Sequence, residues 1–296
     1  MEKNRQSYIY ALLAVLFWST IPTAFKICLS ELEIIPMLTI AALTSATVLF
    51  LILVSTGKIH LLAESTGREI LNSALLGLIN PFVYYLILLK AYQLLPAQVA
   101  QPLNMIWPII LVFLSVPLLG QKIKPGSFAA LFISFAGVYI ISSQGNLFHP
   151  GRSDLKGVLL ATGSSIFWAL YFILNVRDKR DEAVKLFLNF IFGFIFLIIL
   201  LIIIKEPHSG NYGFRGILSA VYIGLFEMGI TFFFWLKALQ TAETTDKVSN
   251  LVYLAPFLSL VFVHFILNEP VYYTTPVGLL FIITGIWYQN RKLSRL

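Results

Sequence analysis

The run LFLNFIFGFIFLIILLIII at residues 186–204 contains no charged side chain. Wound as an α-helix at about 1.5 Å per residue, a run of this length nearly matches the ~30 Å hydrocarbon core of a lipid bilayer. The run lacks the alternation of apolar and polar residues that is typical of strands in membrane barrels. The run therefore predicts a transmembrane helix, and it indicates that the chain folds in a lipid bilayer.

The composition of the full chain agrees with a membrane environment. Of 296 residues, 58% are hydrophobic and only 12% are charged, with 21 Lys and Arg against 14 Asp and Glu. A soluble domain carries about a quarter charged residues, so this chain has too few to keep a protein surface in water. The composition excludes a cytosolic enzyme, a nucleic-acid binder and, with one cysteine, a secreted disulfide scaffold.

Apolar segments of this kind recur along the whole chain. We predict an all-α membrane protein of ten transmembrane helices, because ten helices of about 22 residues leave only short connections and no room for a soluble domain. The segments run over 7–29, 34–55, 70–94, 97–119, 125–143, 155–176, 184–204, 214–239, 247–268 and 273–290.

The placement of Lys and Arg predicts the orientation of these segments, because such residues concentrate in cytoplasmic loops. With the N-terminus inside, the inner ends hold 15 of the 21 basic residues. The outer ends hold the remaining six, which are Lys26, Lys90, Arg152, Lys156, Lys205 and Arg215. We therefore expect a multi-pass protein of the inner (plasma) membrane with both termini in the cytoplasm. Most of the net charge of +7 is then a topology signal rather than a binding surface.

The two halves of the sequence resemble each other at a nearly constant offset of 147 to 150 residues. The matched positions are 16–19 (LFWS) with 166–169 (IFWA), 89–93 (LKAYQ) with 236–240 (LKALQ), Pro108 with Pro256, and Gly137 with Gly285. Five segments are an odd number, so the second copy enters the membrane inverted. We predict an N-terminal repeat over 1–150 and an inverted C-terminal repeat over 151–296, an arrangement typical of transporters with a binding site near the bilayer midplane.

Several short motifs resemble those of a known family. They are LFWST at 16–20, NMIWP at 104–108, GQK at 120–122 and FWA at 167–169, with NEP at 268–270 in the second half. Together they are similar to the drug/metabolite transporter superfamily, specifically to EamA-type permeases, and the first half resembles the YddG-type exporters of aromatic and other amino acids. The resemblance implies a five-plus-five helix fold and the export of amino acids.

Glu227 heads the candidate binding residues, because an ionisable side chain deep inside a span is costly, at about 2–3 kcal/mol or more. In a continuous eighth helix, Thr231 and Trp235 lie on the same face at i+4 and i+8. The repeat places Asn80 opposite Glu227 and Tyr84 opposite Thr231. Glu227 is expected to bind the ammonium of an amino-acid-like substrate or to carry a coupling proton. The alternative is a packing glutamate that a neighbouring Lys or backbone group neutralises.

Polar and aromatic side chains on four other segments complete the candidate site. The fourth segment carries Gln98, Gln101, Asn104 and Trp107 at three-residue steps, a pattern that suits either a cavity wall or hydrogen bonds between helices. The remaining candidates are Trp18 on the first segment, Trp168 and Tyr171 on the sixth, and Asn250 and Tyr253 on the ninth.

Other residues are assigned structural roles. Ser134, Gly137, Gly278 and Gly285 are expected where helices pack closely. Glu269, in the turn with Asn268 and Pro270, is expected to cap the last helix.

The sequence contains no GxSxG elbow, no HExxH, no cluster of Cys and His, and no P-loop. We therefore expect no enzyme activity, no metal and no cofactor, and without an ATP site the protein is expected to be a facilitator or driven by an ion gradient. The leading hypothesis is a secondary transporter that exports amino acids by alternating access through a midplane cavity, with a proton as one candidate coupling ion. The alternatives are a carrier of nucleotides, drugs or lipid precursors on the same fold, and a membrane scaffold that transports nothing.

Overall fold

A computed structural model describes residues 2–120, 125–147, 153–204, 212–241 and 250–293. Within these ranges every regular element is helical, as the composition predicts. The helices are α1 (Glu2–Leu29), α2 (Ile34–Ser55), α3 (Gly67–Gly77), α4 (Tyr84–Leu94), α5 (Ala97–Asn104), α6 (Trp107–Leu119), α7 (Pro125–Ser142), α8 (Leu155–Arg177), α9 (Glu182–Ile204), α10 (Phe214–Phe226), α11 (Ile230–Thr241), α12 (Ala255–Leu267) and α13 (Thr274–Leu293). Three short elements join them: 3₁₀ helices at Ile59–Leu62 and Asn250–Leu254, and a π-helical segment at Leu78–Val83.

Seven segments of the described chain are long and apolar enough to cross a membrane. They are Gln6–Leu29, Ile34–Ser55, Gly67–Leu94, Ala97–Leu118, Leu155–Asn175, Glu182–Ile204 and Phe214–Phe232. Three shorter apolar helices accompany them, at Phe128–Ser142, Leu251–Leu267 and Thr274–Tyr288. The prediction of a helical membrane protein is thus confirmed.

Four of the predicted spans are interrupted rather than continuous. The third span breaks in the π-helical segment at Asn80, and the eighth breaks at residues 227–229, between α10 and α11. The fourth breaks between α5 and α6, and the ninth passes from a 3₁₀ turn into α12. Sequence periodicity does not show these breaks, because the apolar character continues through each of them.

Proline explains three of the interruptions, since its ring clashes with the carbonyl four residues earlier and it donates no backbone hydrogen bond. Pro81 follows Asn80, which has non-helical backbone angles (φ −146°, ψ 119°). Pro108 and Pro256 each occupy the second position of a new helix, where proline is tolerated.

One of two compact units comprises Met1–Leu86 and Asp178–Leu267. Here α1 packs against α10, α11 and α12, α2 packs against α9 and α10, and α3 packs against α9. The first inter-helix loop reaches the start of α10, where Glu31 Oε2 accepts a 2.6 Å hydrogen bond from the backbone N–H of Gly216. A carboxylate at a helix N-terminus satisfies an otherwise unpaired donor, so this contact fastens α10 to the α1–α2 loop.

The same unit holds a close helix crossing at the break in the third span. A Cβ atom at Gly77 of α3 would lie 2.4 Å from the backbone oxygen of Asn189 on α9. A Cβ atom at Gly193 of α9 would lie 2.5 Å from the ring of Pro81. The interrupted segment therefore rests directly on the backbone of α9.

The second unit comprises Ile87–Arg177 and Asn268–Leu296. Here α7 and α13 pack along each other, α8 packs against α5 and α6, and α5 contacts α7 and α13. Each unit draws on both halves of the sequence, and the division into repeats at 1–150 and 151–296 stays a prediction.

Glycine sets the distance between α7 and α13. A Cβ atom at Gly137 would lie 2.5 Å from the backbone oxygen of Gly278, and one at Gly278 would lie 2.6 Å from that of Gly137. At Gly285 a Cβ atom would meet Ser134 Oγ at 2.2 Å. The prediction that these four residues serve close packing is confirmed.

The expected role of Glu269 is wrong. Its Oε1 accepts a 3.2 Å hydrogen bond from the backbone N–H of Ala97, the first residue of α5, so it caps α5 rather than the last helix. Asn268 precedes it with φ +55°, and this left-handed turn is a conformation that Asn tolerates.

We expect Gly278→Ala to destabilise the protein by about 1–3 kcal/mol, because the new methyl group must push α7 and α13 apart. The measurement is the thermal unfolding midpoint of purified protein in a fixed detergent. Gly163→Ala on α8 is the matched control, since a Cβ atom there meets nothing within 4 Å. An unchanged midpoint for Gly278→Ala would show that α7 and α13 do not depend on this contact.

Candidate functional site

Glu227 lies at the interruption of the eighth span, directly after α10 ends at Phe226. Its backbone N–H still donates to the carbonyl of Ile223 at 2.8 Å. The chain then turns through Met228 and Gly229 before α11 begins at Ile230. The carboxyl group thus projects from a helix end rather than from the side of a continuous helix.

Two hydroxyl groups hold the region around Glu227. The Tyr85 hydroxyl donates to Glu227 Oε1 at 3.0 Å, and the side chain of Tyr85 is buried. Ser45 Oγ on α2 donates to the carbonyl oxygen of Met228 at 2.9 Å. Because the turn carbonyl has a side-chain donor, the interruption is stable within an apolar segment. Glu227 itself is half-buried, and the Tyr85 hydroxyl leaves lone pairs of its carboxylate for a further donor.

Asn80 occupies the interruption of the third span, 147 residues before Glu227. It is 1% exposed, and its Oδ1 accepts no hydrogen bond from the described residues. A buried amide oxygen without a donor costs about 1–3 kcal/mol. Asn80 therefore presents an acceptor that a bound donor would satisfy.

Thr231 and Trp235 lie on α11, which the break at 227–229 separates from Glu227, so their common face with Glu227 stays a prediction. Thr231 is fully buried, and its hydroxyl donates back to the carbonyl of Phe226 across the interruption. Trp235 packs against Trp18 of α1 with ring centroids 5.4 Å apart.

Tyr84, which the repeat places opposite Thr231, lies next to the tyrosine that contacts Glu227. It is buried with its ring 4.7 Å from that of Tyr85, and Tyr85 rather than Tyr84 holds the carboxylate. Sequence reasoning missed Tyr85 because the non-helical backbone at Asn80 rotates the next helix. No pattern in the sequence distinguishes the two tyrosines.

Polar side chains of the fourth span form hydrogen bonds with neighbouring parts of the protein. Asn104 Nδ2 donates to Ser164 Oγ at 2.7 Å, and its carbonyl accepts from Ser165 Oγ at 3.0 Å. Gln98 accepts from the backbone N–H of Tyr272 at 3.1 Å. These three hydrogen bonds favour the packing interpretation for Asn104 and Gln98. Gln101 is buried beside them.

The aromatic candidates of the second unit take part in two contacts between aromatic rings. Trp107, the first residue of α6, packs against Phe172 at 5.6 Å between ring centroids. The ring centroids of Trp168 and Tyr171, both on α8, lie 6.1 Å apart. Together with Gln101 and Asn104 they belong to one unit. The other candidates belong to the unit that holds Glu227, namely Trp18, Asn80, Tyr84, Thr231, Trp235, Asn250 and Tyr253.

In the ninth span, Tyr253 is half-buried in the 3₁₀ turn. Asn250 begins that turn, and its side chain lies outside the described residues.

An ionic cluster at the α8–α9 loop was not predicted as a group. Asp178 and Arg180 form a 2.5 Å ion pair, and their side chains are only 4% and 9% exposed. Arg180 also donates to Ser73 Oγ at 2.7 Å, and Asn72 donates to Asp178 at 3.3 Å. These contacts fasten the loop to α3. The sequence suggests only a topology role for Arg180, because its partner Ser73 on α3 is 107 residues away in the chain.

The charge of Asp178 depends on two opposing effects. Burial favours its neutral form, but hydrogen bonds from the side chain and backbone of Arg180 outweigh burial and hold the pKa of Asp178 below its ordinary value. The carboxylate is therefore ionised at neutral pH.

No cluster of three His, Cys, Asp or Glu residues suited to a metal ion occurs in the described part of the chain.

The chain matches a known protein family along most of its length. The model of the EamA-like transporter family matches residues 5–143 and 155–290. The chain belongs to the EamA-like transporter family. It is accordingly a multi-pass membrane protein that handles a small-molecule substrate, and it is a transporter rather than an enzyme.

Individual relatives are distant but extend over most of the chain. An uncharacterized transporter of Clostridium kluyveri is 26% identical over 97% of this chain and 94% of its own length. The uncharacterized transporter YvbV of Bacillus subtilis is 26% identical over 99% and 93%. The aromatic amino acid exporter YddG of Ancylobacter novellus is 26% identical over 83% of each chain.

The fold is also similar to that of a solved structure. The superposition covers 99% of this chain and 99% of the other, with a TM-score of 0.68 at 19% sequence identity.

We expect Asp178→Asn to lower the stability of the protein by about 1–3 kcal/mol at neutral pH, the cost of leaving a buried charged partner unpaired. Because the pKa of Asp178 is lower in the folded state, its contribution is fully present above the ordinary aspartate pKa of about 4 and is lost as the pH falls through the lower folded value. The difference in thermal unfolding midpoint between the wild type and Asp178→Asn should therefore be constant from pH 8 to pH 5 and shrink below about pH 4.

Lys179→Gln is the control for this measurement, because it changes an exposed side chain in the same loop. Equal midpoints for Asp178→Asn and the wild type at pH 7 would contradict the stabilising role of the pair.

Proposed function

We propose that this transporter exports amino acids across the inner membrane by alternating access. In this proposal ten spans form two inverted five-helix repeats, and substrate binds in a midplane cavity. Both termini lie in the cytoplasm. The seven long apolar segments and three shorter apolar helices supply the ten spans, and the 15 to 6 distribution of basic residues supports the orientation.

One observation carries the proposal: a carboxylate lies at the interruption of an apolar span. Discontinuous helices form the substrate sites of many secondary transporters, because a helix end exposes backbone groups and polar side chains to a ligand. An ionisable residue within a span is a functional-site hypothesis by default. Glu227 meets both conditions, and Asn80 lies at the matching interruption of the third span.

The chemistry of the two residues suits the ammonium group of an amino acid. The Glu227 carboxylate accepts one hydrogen bond from Tyr85 and offers its other lone pairs to a cation. The unpaired Oδ1 of Asn80 is a second acceptor. The relative from Ancylobacter novellus, which exports aromatic amino acids, supports the same substrate class for this chain.

Glu227 also offers a means of coupling export to a proton gradient. A carboxylate at a helix interruption can exchange a proton with water when its side of the membrane is open. It then binds substrate and proton in competition, so that each drives release of the other.

The substrate class can be tested by counterflow of radiolabelled amino acids into proteoliposomes that contain the purified protein. The panel should include aromatic, branched, acidic and basic amino acids, with a nucleoside and a cationic drug as the alternative substrates. Counterflow of one or more amino acids supports the proposal. Counterflow of the nucleoside or drug alone would reassign the substrate, and no counterflow of any compound would favour a scaffold.

We expect Glu227→Gln to reduce amino-acid counterflow at least tenfold, because it removes the negative charge that faces the ammonium. About 1.4 kcal/mol of lost binding gives a tenfold effect. The mutant should also lose the pH dependence of transport between pH 5 and pH 8, since glutamine does not titrate. Initial rates across a pH series at equal protein density are the measurement.

Two further variants keep this test specific. Glu33→Gln replaces an exposed carboxyl group in the α1–α2 loop and should transport like the wild type. Tyr85→Phe preserves the aromatic ring but removes the hydroxyl that holds Glu227, and it should retain a pH dependence with a shifted midpoint. Wild-type rates in Glu227→Gln would exclude Glu227 from the binding site.

A further inference from the structure

A cavity of about 200 Å³ lies among α2, α9 and α11, all within the unit of Met1–Leu86 and Asp178–Leu267. We propose that it is a second binding site, which captures a free amino acid with an apolar side chain at the cytoplasmic mouth. Neither Glu227 nor Asn80 is among its lining residues. The inference extends the proposed function, because it assigns the same substrate class to a separate site.

The cavity combines an apolar wall with a charged rim. Leu49 and Ile52 of α2, Leu186 of α9 and Phe232 of α11 form the apolar part. The rim carries two cations and two anions, which are Lys58, Lys237, Asp181 and Glu182. All four charged residues lie at helix ends that the sequence places on the cytoplasmic side.

The rim charges are ordered but accessible. Lys58 and Asp181 form a 2.6 Å ion pair with side chains 44% and 24% exposed. Asp181 also accepts a 3.0 Å hydrogen bond from the backbone N–H of Ala183. Burial opposes the charge of Asp181, but the hydrogen bond from Lys58 and those from the backbone hold its pKa below the ordinary value. The rim therefore presents fixed charges of both signs to the water-filled side.

This arrangement matches a zwitterion with an apolar side chain. Glu182 is paired with Lys185 at 2.7 Å, so the ammonium group of the ligand binds Asp181 while the carboxylate of the same molecule binds Lys237. A purely anionic or cationic ligand would satisfy only one of these two groups. The cavity is smaller than the 300–1,000 Å³ typical of sites for drug-sized ligands, a size that suits one amino acid.

A cysteine-protection experiment tests this site independently of transport. Cys28, the one native cysteine, is fully buried, so Ala183→Cys supplies an accessible thiol at the cavity wall. The rate of its reaction with a maleimide is measured on full-length protein in lipid nanodiscs, with and without L-phenylalanine. Ala63→Cys is the matched control, since Ala63 is exposed and lies outside the cavity.

We expect L-phenylalanine at ten times its dissociation constant to slow labelling of Ala183→Cys about tenfold, the ratio given by simple occupancy. Labelling of Ala63→Cys should not change. Phenethylamine lacks the carboxylate and 3-phenylpropionate lacks the ammonium, so neither should protect at the same concentration. Adding Asp181→Asn or Lys237→Gln to Ala183→Cys should remove the protection, whereas adding Glu227→Gln should preserve it.

The outcomes separate this site from the proposed function. Protection without amino-acid counterflow would support the site and overturn export. Counterflow without protection would overturn the site and leave export intact. Equal protection by all three compounds would overturn zwitterion recognition, because an apolar pocket alone would then explain binding.

Discussion

The structure depends on how backbone groups are satisfied where an apolar helix stops inside its span. The bilayer core offers no water to unpaired carbonyl and N–H groups, so a break persists only where protein groups replace the missing hydrogen bonds. Hydroxyl side chains do this at two of the breaks. Ser45 donates to the carbonyl of Met228 beside Glu227, and Ser165 donates to the carbonyl of Asn104 at the end of α5. Specific side-chain donors therefore stabilise these two interruptions.

The polar residues within the spans fall into two groups by their contacts. Asn104 and Gln98 form hydrogen bonds with α8 and with α13 and its preceding loop, respectively, and act in packing. Asn80 retains a buried acceptor without a donor, and Glu227 retains capacity beyond its bond to Tyr85. Unused hydrogen-bonding capacity, rather than polarity alone, distinguishes a candidate ligand contact from a packing contact.

Much of the fold follows from the sequence, because a long apolar stretch with few charges indicates a helix that spans a lipid bilayer. The helical membrane class and the close-packed glycines of α7 and α13 were predicted from short patterns and are confirmed. The sequence does not predict the interruptions, and one of them lies between Glu227 and Thr231, which a continuous helix would place at i and i+4. Helical periodicity assumes a continuous register, whereas a proline or a turn rotates every residue that follows.

Contacts between distant parts of the chain are likewise not predictable from the sequence. The turn of Asn268, Glu269 and Pro270 predicts a cap for the last helix, yet the Glu269 carboxylate accepts from the first backbone N–H of α5. The Asp178–Arg180 pair and its partners on α3 lie more than a hundred residues apart in sequence. The signals available in one sequence, charge and spacing, do not specify which helix end a loop will meet.

The make-up of the first unit has a consequence for how the protein is synthesised. The helix α1 is synthesised long before the helices against which it packs, α10, α11 and α12, because nearly 200 residues separate them in the chain. Its packing face must therefore remain without its final neighbours until those helices have been made. Lipid, the insertion machinery or a temporary helix pairing has to cover that face, so assembly of this unit follows membrane insertion of α10, α11 and α12.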